Sequence, residues 1–319
     1  MTFFATTLES MAISAAVGGV GFWAARRGRL DRPALKVLSL IALDIALPCQ
    51  IFASILRAFE PAHYPGWWQL PLWWGALTLL QGAIALLTGR LFDPSTRREA
   101  QLGLLYQNAI FIPLVMLVEL FGPHSRMVVQ LFLFTLFFPA FFFTTAPLFY
   151  PAPNRGLRWN RLLTPSFIAT GAALALKGLH LGAAIPEFAL RGLELVGAIA
   201  VPGLLMYLGG AICHDRSHVS AGSLRPILGF VAIRNLLIPM LVLGIVHFLP
   251  LPGELSLLLV LQAAMPPITA LTALVDREGG DRLFTNRIML ASFLVALITV
   301  PLFLSLHHRF IQPVILSNP

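Results

Sequence analysis

Residues 255–275 read LSLLLVLQAAMPPITALTALV, an uncharged run with two prolines, Pro266 and Pro267, at its centre. An α-helix needs about 20 apolar residues to cross the hydrocarbon core of a bilayer, so this run is long enough to be a transmembrane helix. A proline inside a helix removes an amide donor and clashes with the carbonyl four residues earlier. The run therefore predicts a transmembrane helix that is interrupted near the middle of the membrane.

The whole chain has the same apolar character. Of its 319 residues, 57% are hydrophobic and only 11% are charged, and the mean hydropathy is +0.81. Soluble domains carry roughly 25% charged residues, so lipid must be the main solvent of this chain. The fold class is all-α integral membrane, because every backbone amide in lipid needs a partner within its own segment. The net charge of +8 is spread between apolar runs rather than gathered in one patch, so we expect no nucleic-acid partner.

Apolar runs bounded by charges, prolines and glycines predict ten transmembrane helices, numbered here as spans 1 to 10. Their ranges are 3–23, 37–57, 70–89, 101–120, 126–149, 164–181, 189–212, 226–248, 255–275 and 287–306.

Lys and Arg residues are strongly biased to one side of this arrangement. Connections that follow odd-numbered spans carry sixteen of the 22 basic residues, and the opposite side carries four, namely Arg57, Arg126, Arg191 and Arg309. Cytoplasmic loops are enriched in Lys and Arg, so the odd-to-even connections are predicted to be cytoplasmic. We therefore expect a multi-pass protein of the cell membrane, inner or plasma, with both termini non-cytoplasmic.

Proline spacing indicates an internal repeat. Pro48 and Pro113 are 65 residues apart, and so are Pro202 and Pro267. Five spans per half is an odd number, so the two halves would have opposite orientations, as in many secondary transporters. The predicted parts are a first inverted repeat at 1–150, a short cytoplasmic linker at 151–163 and a second inverted repeat at 164–319.

Polar side chains flank the prolines of spans 4 and 9. Broken membrane helices with polar groups at matching places in two halves are typical of transporter binding sites. The alternative is a pair of simple kinks whose polar groups bond to neighbouring helices. The predicted substrate-binding residues in these two spans are Tyr106, Gln107, Asn108, Pro113, Gln262, Pro266, Pro267 and Thr269.

Two charged residues fall well inside predicted spans. Arg234 is eight residues into span 8, near mid-membrane, where a charge is costly and by default marks function. We assign it to the substrate site, with a structural or snorkelling arginine as the alternative. Asp44, four residues before Pro48, is the candidate for binding a coupling ion or proton, or it bonds to a neighbouring helix. The phenylalanine-rich run 132–143 is interpreted as lipid-facing and packing surface.

No nucleotide-binding loop, zinc motif or nucleophile motif occurs in the sequence. We therefore expect no enzyme activity, no cofactor and no metal. A membrane-embedded enzyme, a channel and a sensor or scaffold without flux remain alternatives to a transporter.

Residues 258–306, LLVLQAAMPPITALTALVDREGGDRLFTNRIMLASFLVALITVPLFLSL, resemble the C-terminal signature of the auxin efflux carrier family in its bacterial members. Residues 40–56, 200–212 and 234–245 resemble other parts of that family. The resemblance implies broken spans 4 and 9 that cross near mid-membrane beside the substrate. It also implies a scaffold of spans 1, 2, 6 and 7 and a mobile transport part of spans 3–5 and 8–10.

The first broken span departs from the family pattern. Family members place an asparagine seven residues before the proline, and here that position is Tyr106 while Asn108 lies only five residues before Pro113. The glycine position of the family is occupied by Phe111. The family's site asparagine is therefore not transferred to Asn108 by the resemblance alone.

These observations together predict a secondary transporter, an efflux or uptake carrier that moves a small organic anion by alternating access, and the family resemblance implies that this motion is of the elevator type. Its partners would be that anion and the lipid bilayer. The sequence leaves open whether transport is coupled to H⁺ or Na⁺ and whether the chain forms a homodimer.

Overall fold

The computed structural model describes residues 3–60, 66–150, 163–216 and 224–311. The predicted linker 151–163 lies outside these ranges except for Leu163. Within the described ranges the chain is helical, with short 3₁₀ and π segments between α-helices. The helices are α1 Phe3–Arg26, α2 Arg32–Leu40, α3 Leu47–Ala58, α4 Leu70–Thr88, α5 Arg97–Leu105, α6 Phe111–Phe121, α7 Arg126–Phe134, α8 Phe138–Thr145, α9 Pro165–Gly178, α10 Glu187–Gly197, α11 Ala200–Arg216, α12 Arg225–Val231, α13 Ile238–Phe248, α14 Gly253–Ala264, α15 Ala270–Glu278 and α16 Arg282–Phe310.

Seven helical segments of the described chain are long and apolar enough to cross a membrane, which confirms a multi-pass, all-helical membrane protein. They correspond to predicted spans 1, 2, 3, 5, 7, 8 and 10. Helix length and hydropathy in the described chain therefore do not reproduce all ten predicted transmembrane helices. Span 6 is α9, whose 14 residues reach about 21 Å, less than the roughly 30 Å hydrocarbon core. Spans 4 and 9 are each divided into two short helices.

Two of the long helices contain a π segment directly before a proline. Ile41–Ala46 precedes α3, in which Pro48 is the second residue, and Ala232–Leu237 precedes α13, in which Pro239 is the second residue. At the end of each π segment an amide reaches the carbonyl five residues back, as Leu47 does to Ala42. The wider turn accommodates a proline that cannot donate to the carbonyl four residues back. Asp44 and Arg234 lie in these two π segments, a type of local structure that is frequent at functional sites.

Glycines let α1 and α11 lie with their backbones in contact. A Cβ atom at Gly21 would be 2.1 Å from the Met206 carbonyl oxygen, and one at Gly209 would be 1.7 Å from the Gly18 carbonyl oxygen. Small residues at helix interfaces allow this close approach in membranes, where van der Waals packing replaces the hydrophobic driving force between helices. This close backbone contact joins the N-terminal and C-terminal halves of the chain.

A buried carboxylate anchors the turn between α15 and α16. Glu99 Oε1 accepts hydrogen bonds from the Tyr150 hydroxyl at 3.1 Å and from the Asp281 amide at 3.2 Å. Burial raises the pKa of the Tyr150 phenol, and the nearby Glu99 charge raises it further, so Tyr150 stays a donor. Gly280 leaves room for this arrangement, because a Cβ there would be 2.5 Å from Glu99 Oε1.

We predict that Gly21→Ala and Gly209→Ala each lower the stability of the folded protein. The added methyl group must push α1 and α11 apart, and overpacking of this kind typically costs about 1–3 kcal/mol. Thermal unfolding in detergent measures the effect.

Gly171→Ala is the matched control, because a Cβ at this position of α9 meets nothing within 4 Å. It should unfold at the same temperature as the parent or slightly above it, since alanine favours a helix over glycine. Equal midpoints for all three variants would contradict the close α1–α11 packing.

Candidate functional site

Two irregular segments lie side by side at the centre of the molecule. Residues 106–110 connect α5 to α6, and residues 265–269 connect α14 to α15. They run antiparallel: the Asn108 amide donates to the Pro266 carbonyl at 2.8 Å, and the Ile268 amide donates to the Tyr106 carbonyl at 2.9 Å. We call residues 106–110 and 265–269 the crossing. It brings together polar residues that are about 160 positions apart in the sequence.

Pro113 lies outside the crossing, although the sequence analysis placed an interruption there. It is the third residue of α6, where backbone amides have no partner within the helix, so a proline is tolerated without a break. The helix before it ends because Tyr106 has an extended backbone. Pro266 and Pro267, in contrast, lie within the second segment.

The prediction that Pro113 and Pro267 occupy equivalent positions in the two halves is therefore wrong, because the two segments and the two prolines are offset by different numbers of residues. The helices that follow the two interruptions begin at residues 111 and 270, which are 159 positions apart. The two prolines are 154 positions apart. The residue that lies opposite Pro267 in the structure is Gln107.

Three of the predicted site residues hold the crossing together. Gln262 donates through Nε2 to the Ala109 carbonyl at 2.8 Å and accepts from Gln107 Nε2 at 3.4 Å. Tyr106 shares a hydrogen bond of 2.7 Å with Thr145, and its side chain is buried. These side chains therefore fix the geometry of the two segments.

Arg234 is fully buried and binds the carbonyl ends of two helices. Its Nε and Nη2 donate to the Met265 carbonyl at 2.8 and 2.7 Å, and Nη1 donates to the Leu104 carbonyl at 3.0 Å. These carbonyls belong to the C-terminal ends of α14 and α5, which lack helical partners and carry partial negative charge. The guanidinium neutralises both ends at once. It is absent from the lining of the cavity described next, so its contacts are with the backbone of the crossing.

A cavity of about 290 Å³ lies beside the crossing. Two polar atoms of its lining residues, Asn108 Nδ2 and Thr269 Oγ1, are buried and have no hydrogen-bond partner among the described residues. Buried polar groups are nearly always paired, so unpaired ones on a cavity wall indicate groups kept for a ligand or water. The other lining residues with polar or aromatic side chains are Ser39, Asp44, Phe111, Phe138, Phe142, Phe143, Thr164, Ser166 and Tyr207.

The cavity also receives the N-terminal ends of two helices. Asn108 Oδ1 accepts from the Phe111 amide at 3.0 Å and from the Ile112 amide at 3.4 Å, so Asn108 caps α6 with one side-chain atom, while its Nδ2 has no partner in the described ranges. Thr269 precedes α15, and its hydroxyl makes no capping bond. Helix N-termini carry partial positive charge and favour anions.

Asp44 faces the same cavity from its π segment and is exposed. A carboxylate on the wall of a cavity that favours anions would repel an anionic ligand unless it took up a proton or a cation. Across the described residues, no group of three or more His, Cys, Asp or Glu is close enough to hold a metal ion.

The sequence analysis missed several walls of this cavity. Phe138, Phe142 and Phe143, from the run interpreted as lipid-facing and packing surface, line it. Tyr207, a polar aromatic residue inside the apolar stretch LLMYLGG, was a detectable signal because such side chains usually need a partner when buried. Thr164 and Ser166 gave no signal beyond that of a helix start.

We predict that Arg234→Met destabilises the protein strongly, because it leaves the Leu104 and Met265 carbonyls without a donor. An unpaired buried polar group costs about 1–3 kcal/mol, so two carbonyls make a large change in unfolding temperature. Arg234→Lys should lose less, since an ammonium keeps the charge but lacks the planar guanidinium that reaches both carbonyls.

Arg90→Gln is the control, because Arg90 is exposed and lies at the end of α4. Hydrogen exchange at the amides of residues 104–108 and of Met265, Ile268 and Thr269 should accelerate in Arg234→Met alone. Unchanged exchange in that variant would show that the guanidinium does not hold the crossing.

The similarity to known proteins agrees with this architecture. The family model described as "membrane transport protein" matches residues 6–156 and 154–304, nearly the whole chain. No curated protein matches the sequence. The family resemblance seen in the C-terminal motif is therefore confirmed, and the chain belongs to the membrane transport protein family, which is that of the auxin efflux carriers.

Proposed function

We propose that this membrane transporter is a secondary carrier for a small organic anion, which it binds in the cavity beside the crossing. The carrying observation is that Asn108 Nδ2 and Thr269 Oγ1, at the starts of α6 and α15, have no hydrogen-bond partner within the described part of the chain. Both atoms can donate to an anion, and both helix ends add partial positive charge where that anion would lie.

The size and walls of the cavity restrict the ligand. A volume of about 290 Å³ equals roughly ten water molecules at about 30 Å³ each, so a small molecule fits and a peptide does not. The Phe138, Phe142 and Phe143 rings offer apolar surface to the organic part. A carboxylate held at the helix ends, with its carbon skeleton against these rings, satisfies both parts of the wall.

We propose ten spans in two inverted halves, by counting α9 and the two divided segments as further crossings of the membrane. The antiparallel contact of residues 106–110 with 265–269 supports this count, since related segments of opposite orientation meet there. The repeat boundaries at 150 and 164 and the non-cytoplasmic termini remain proposals. Residues 1–2 and 312–319 lie outside the described chain.

The position of the cavity supports an elevator-type motion. One wall comes from the predicted scaffold, through Asp44, Thr164 and Tyr207. The other comes from the predicted transport part, through the crossing and α8. A site held between two bodies changes its access when one body slides past the other.

Two contacts bridge the predicted scaffold and the predicted transport part at one end. The Ser54 hydroxyl donates to the Pro123 carbonyl at 3.4 Å, and His124 lies 3.9 Å from Glu194. These contacts join α3 and α10 to the turn after α6, on the side that the basic residues predict to be non-cytoplasmic. We propose that they separate when the site is exposed to that side.

We propose Asp44 as the group that takes up H⁺ or Na⁺ together with the substrate. It is an acidic residue on the wall of a cavity that otherwise favours anions. Arg234 already supplies positive charge to the helix carbonyl ends, so those carbonyls need no bound cation. A sensor without flux and an intramembrane enzyme are the alternatives, and family membership favours a transporter over both.

We predict that Asn108→Leu and Thr269→Val each weaken binding and transport of the anion. A hydrogen bond to a charged group contributes about 1.5–3 kcal/mol, so each variant should lose roughly 10- to 100-fold in affinity. A thermal-shift screen of organic acids identifies a ligand, and flux in proteoliposomes then measures its KM.

Asn286→Leu is the matched control, because Asn286 is a buried amide without a partner in the described chain but is not in the cavity wall. Its flux should equal that of the parent protein. Parental KM in both Asn108→Leu and Thr269→Val would refute the assigned site, whereas tight binding without any flux would favour the sensor.

We predict that Asp44→Asn removes the dependence of flux on the H⁺ or Na⁺ gradient while leaving anion binding intact. The neutral amide can no longer exchange a proton or cation, and it no longer repels the anion. Flux measured with and without each gradient tests this. A gradient dependence equal to that of the parent protein would exclude Asp44 from coupling.

A further inference from the structure

A second cavity, of about 320 Å³, lies between α1, α11 and α16. On α1 its lining runs from Met11 to Phe22, which is about 16 Å at 1.5 Å per residue, and on α16 it runs from Leu290 to Leu297. The cavity is therefore an elongated cleft parallel to the helices. We call it the apolar cleft.

The apolar cleft is unsuited to water. Among its lining residues, Ser14 carries a hydroxyl, and that hydroxyl already donates to the Ser10 carbonyl at 2.8 Å. A bound water needs two to four polar partners, and apolar cavities stay dry. Leu294 lines the cleft and is 58% exposed, so the cleft opens to the outer surface of the protein, where lipid is the solvent. In a membrane, the hydrocarbon chain of a lipid is available to occupy such a cleft.

A basic and aromatic cluster lies at one end of the cleft. Phe22, the last lining residue on α1, is followed by Trp23 and then by Arg26, Arg27 and Arg29. The Arg27 and Arg29 guanidinium groups lie 5.6 and 5.8 Å from the centre of the Trp23 ring. Tryptophan and arginine at a helix end are typical of the membrane interface, and clustered basic residues there attract anionic lipids.

We propose that the apolar cleft binds one anionic phospholipid, with an acyl chain along α1 and its headgroup at Arg26, Arg27 and Arg29. The length and direction of the cleft fit the chain, and the charge at its end fits the headgroup. The cleft separates α1 and α11 of the predicted scaffold from α16 and Ile112 of the predicted transport part. A lipid here lies on the surface where those parts would slide, so its occupancy affects the rate of that motion.

The test is photolabelling in nanodiscs of phosphatidylcholine that contain a trace of phosphatidylglycerol with a diazirine on its acyl chain. Peptide mapping should find label concentrated on residues 11–22 and 290–297. Gly19→Phe should reduce this label several-fold, because a Cβ at Gly19 meets nothing within 4 Å and the ring would fill the cleft. Gly171→Phe, at an equally open but distant position of α9, should leave the label unchanged.

A second comparison tests the headgroup. The diazirine phosphatidylglycerol should outcompete the same probe built on phosphatidylcholine, and the double variant Arg27→Gln, Arg29→Gln should lose that preference. Arg90→Gln combined with Arg225→Gln removes two exposed arginines elsewhere and should keep it.

Four results would overturn the proposal. In the first two, the label is spread evenly over all lipid-facing helices, or its amount is unchanged by Gly19→Phe. In the other two, the parent protein shows no preference for the anionic lipid, or the cleft is cross-linked to a second copy of the chain. None of these measurements depends on flux, so the proposal stands or falls separately from the transported substrate.

Discussion

Arg234 satisfies the constraint on which the centre of this protein depends. Two helices end in the apolar interior, and the carbonyls at their ends have no helical partner. The fully buried guanidinium donates to the Met265 and Leu104 carbonyls together. Each component would be costly alone, since a buried charge and an unpaired carbonyl both lose hydration. The hydrogen bonds between the guanidinium and the carbonyls offset the desolvation penalty of both groups. Two interrupted helices can therefore remain inside a membrane protein.

Once the carbonyl ends are bound, the polar side chains of the crossing divide into two groups. Tyr106, Gln107 and Gln262 use their polar atoms on partners within the protein. Asn108 and Thr269 each keep one polar atom, at a helix N-terminus beside the cavity, that pairs with none of the described residues. Each interruption therefore creates two helix ends. Arg234 neutralises the negative ends, of α5 and α14, and the positive ends, of α6 and α15, lie beside the cavity.

The two cavities differ in chemistry for a related reason. The cavity beside the crossing is bounded by irregular backbone and helix starts, where polar groups are unavoidable. The apolar cleft is bounded by the sides of three long helices, and the side chains that line it are nearly all apolar. Both lie between the predicted scaffold and the predicted transport part, and their linings differ: the first holds polar atoms at helix starts, and the second is nearly all apolar.

Hydropathy, length and local motifs were sufficient to identify a helical multi-pass membrane protein of this family, because these properties act within single segments. They also located the polar residues of the two interruptions, since amides within an apolar run are conspicuous. Tertiary structure alone decided what those residues do. The bonds of Arg234 reach carbonyls 31 and 130 residues away, and no local pattern encodes such partners. Pro113 was misplaced because a proline reads alike in a helix interior and in a first turn, although the amides of a first turn need no helical partner. The phenylalanine wall was hidden for the same kind of reason: apolar side chains look identical in sequence whether they face lipid or a cavity, and only packing assigns the side.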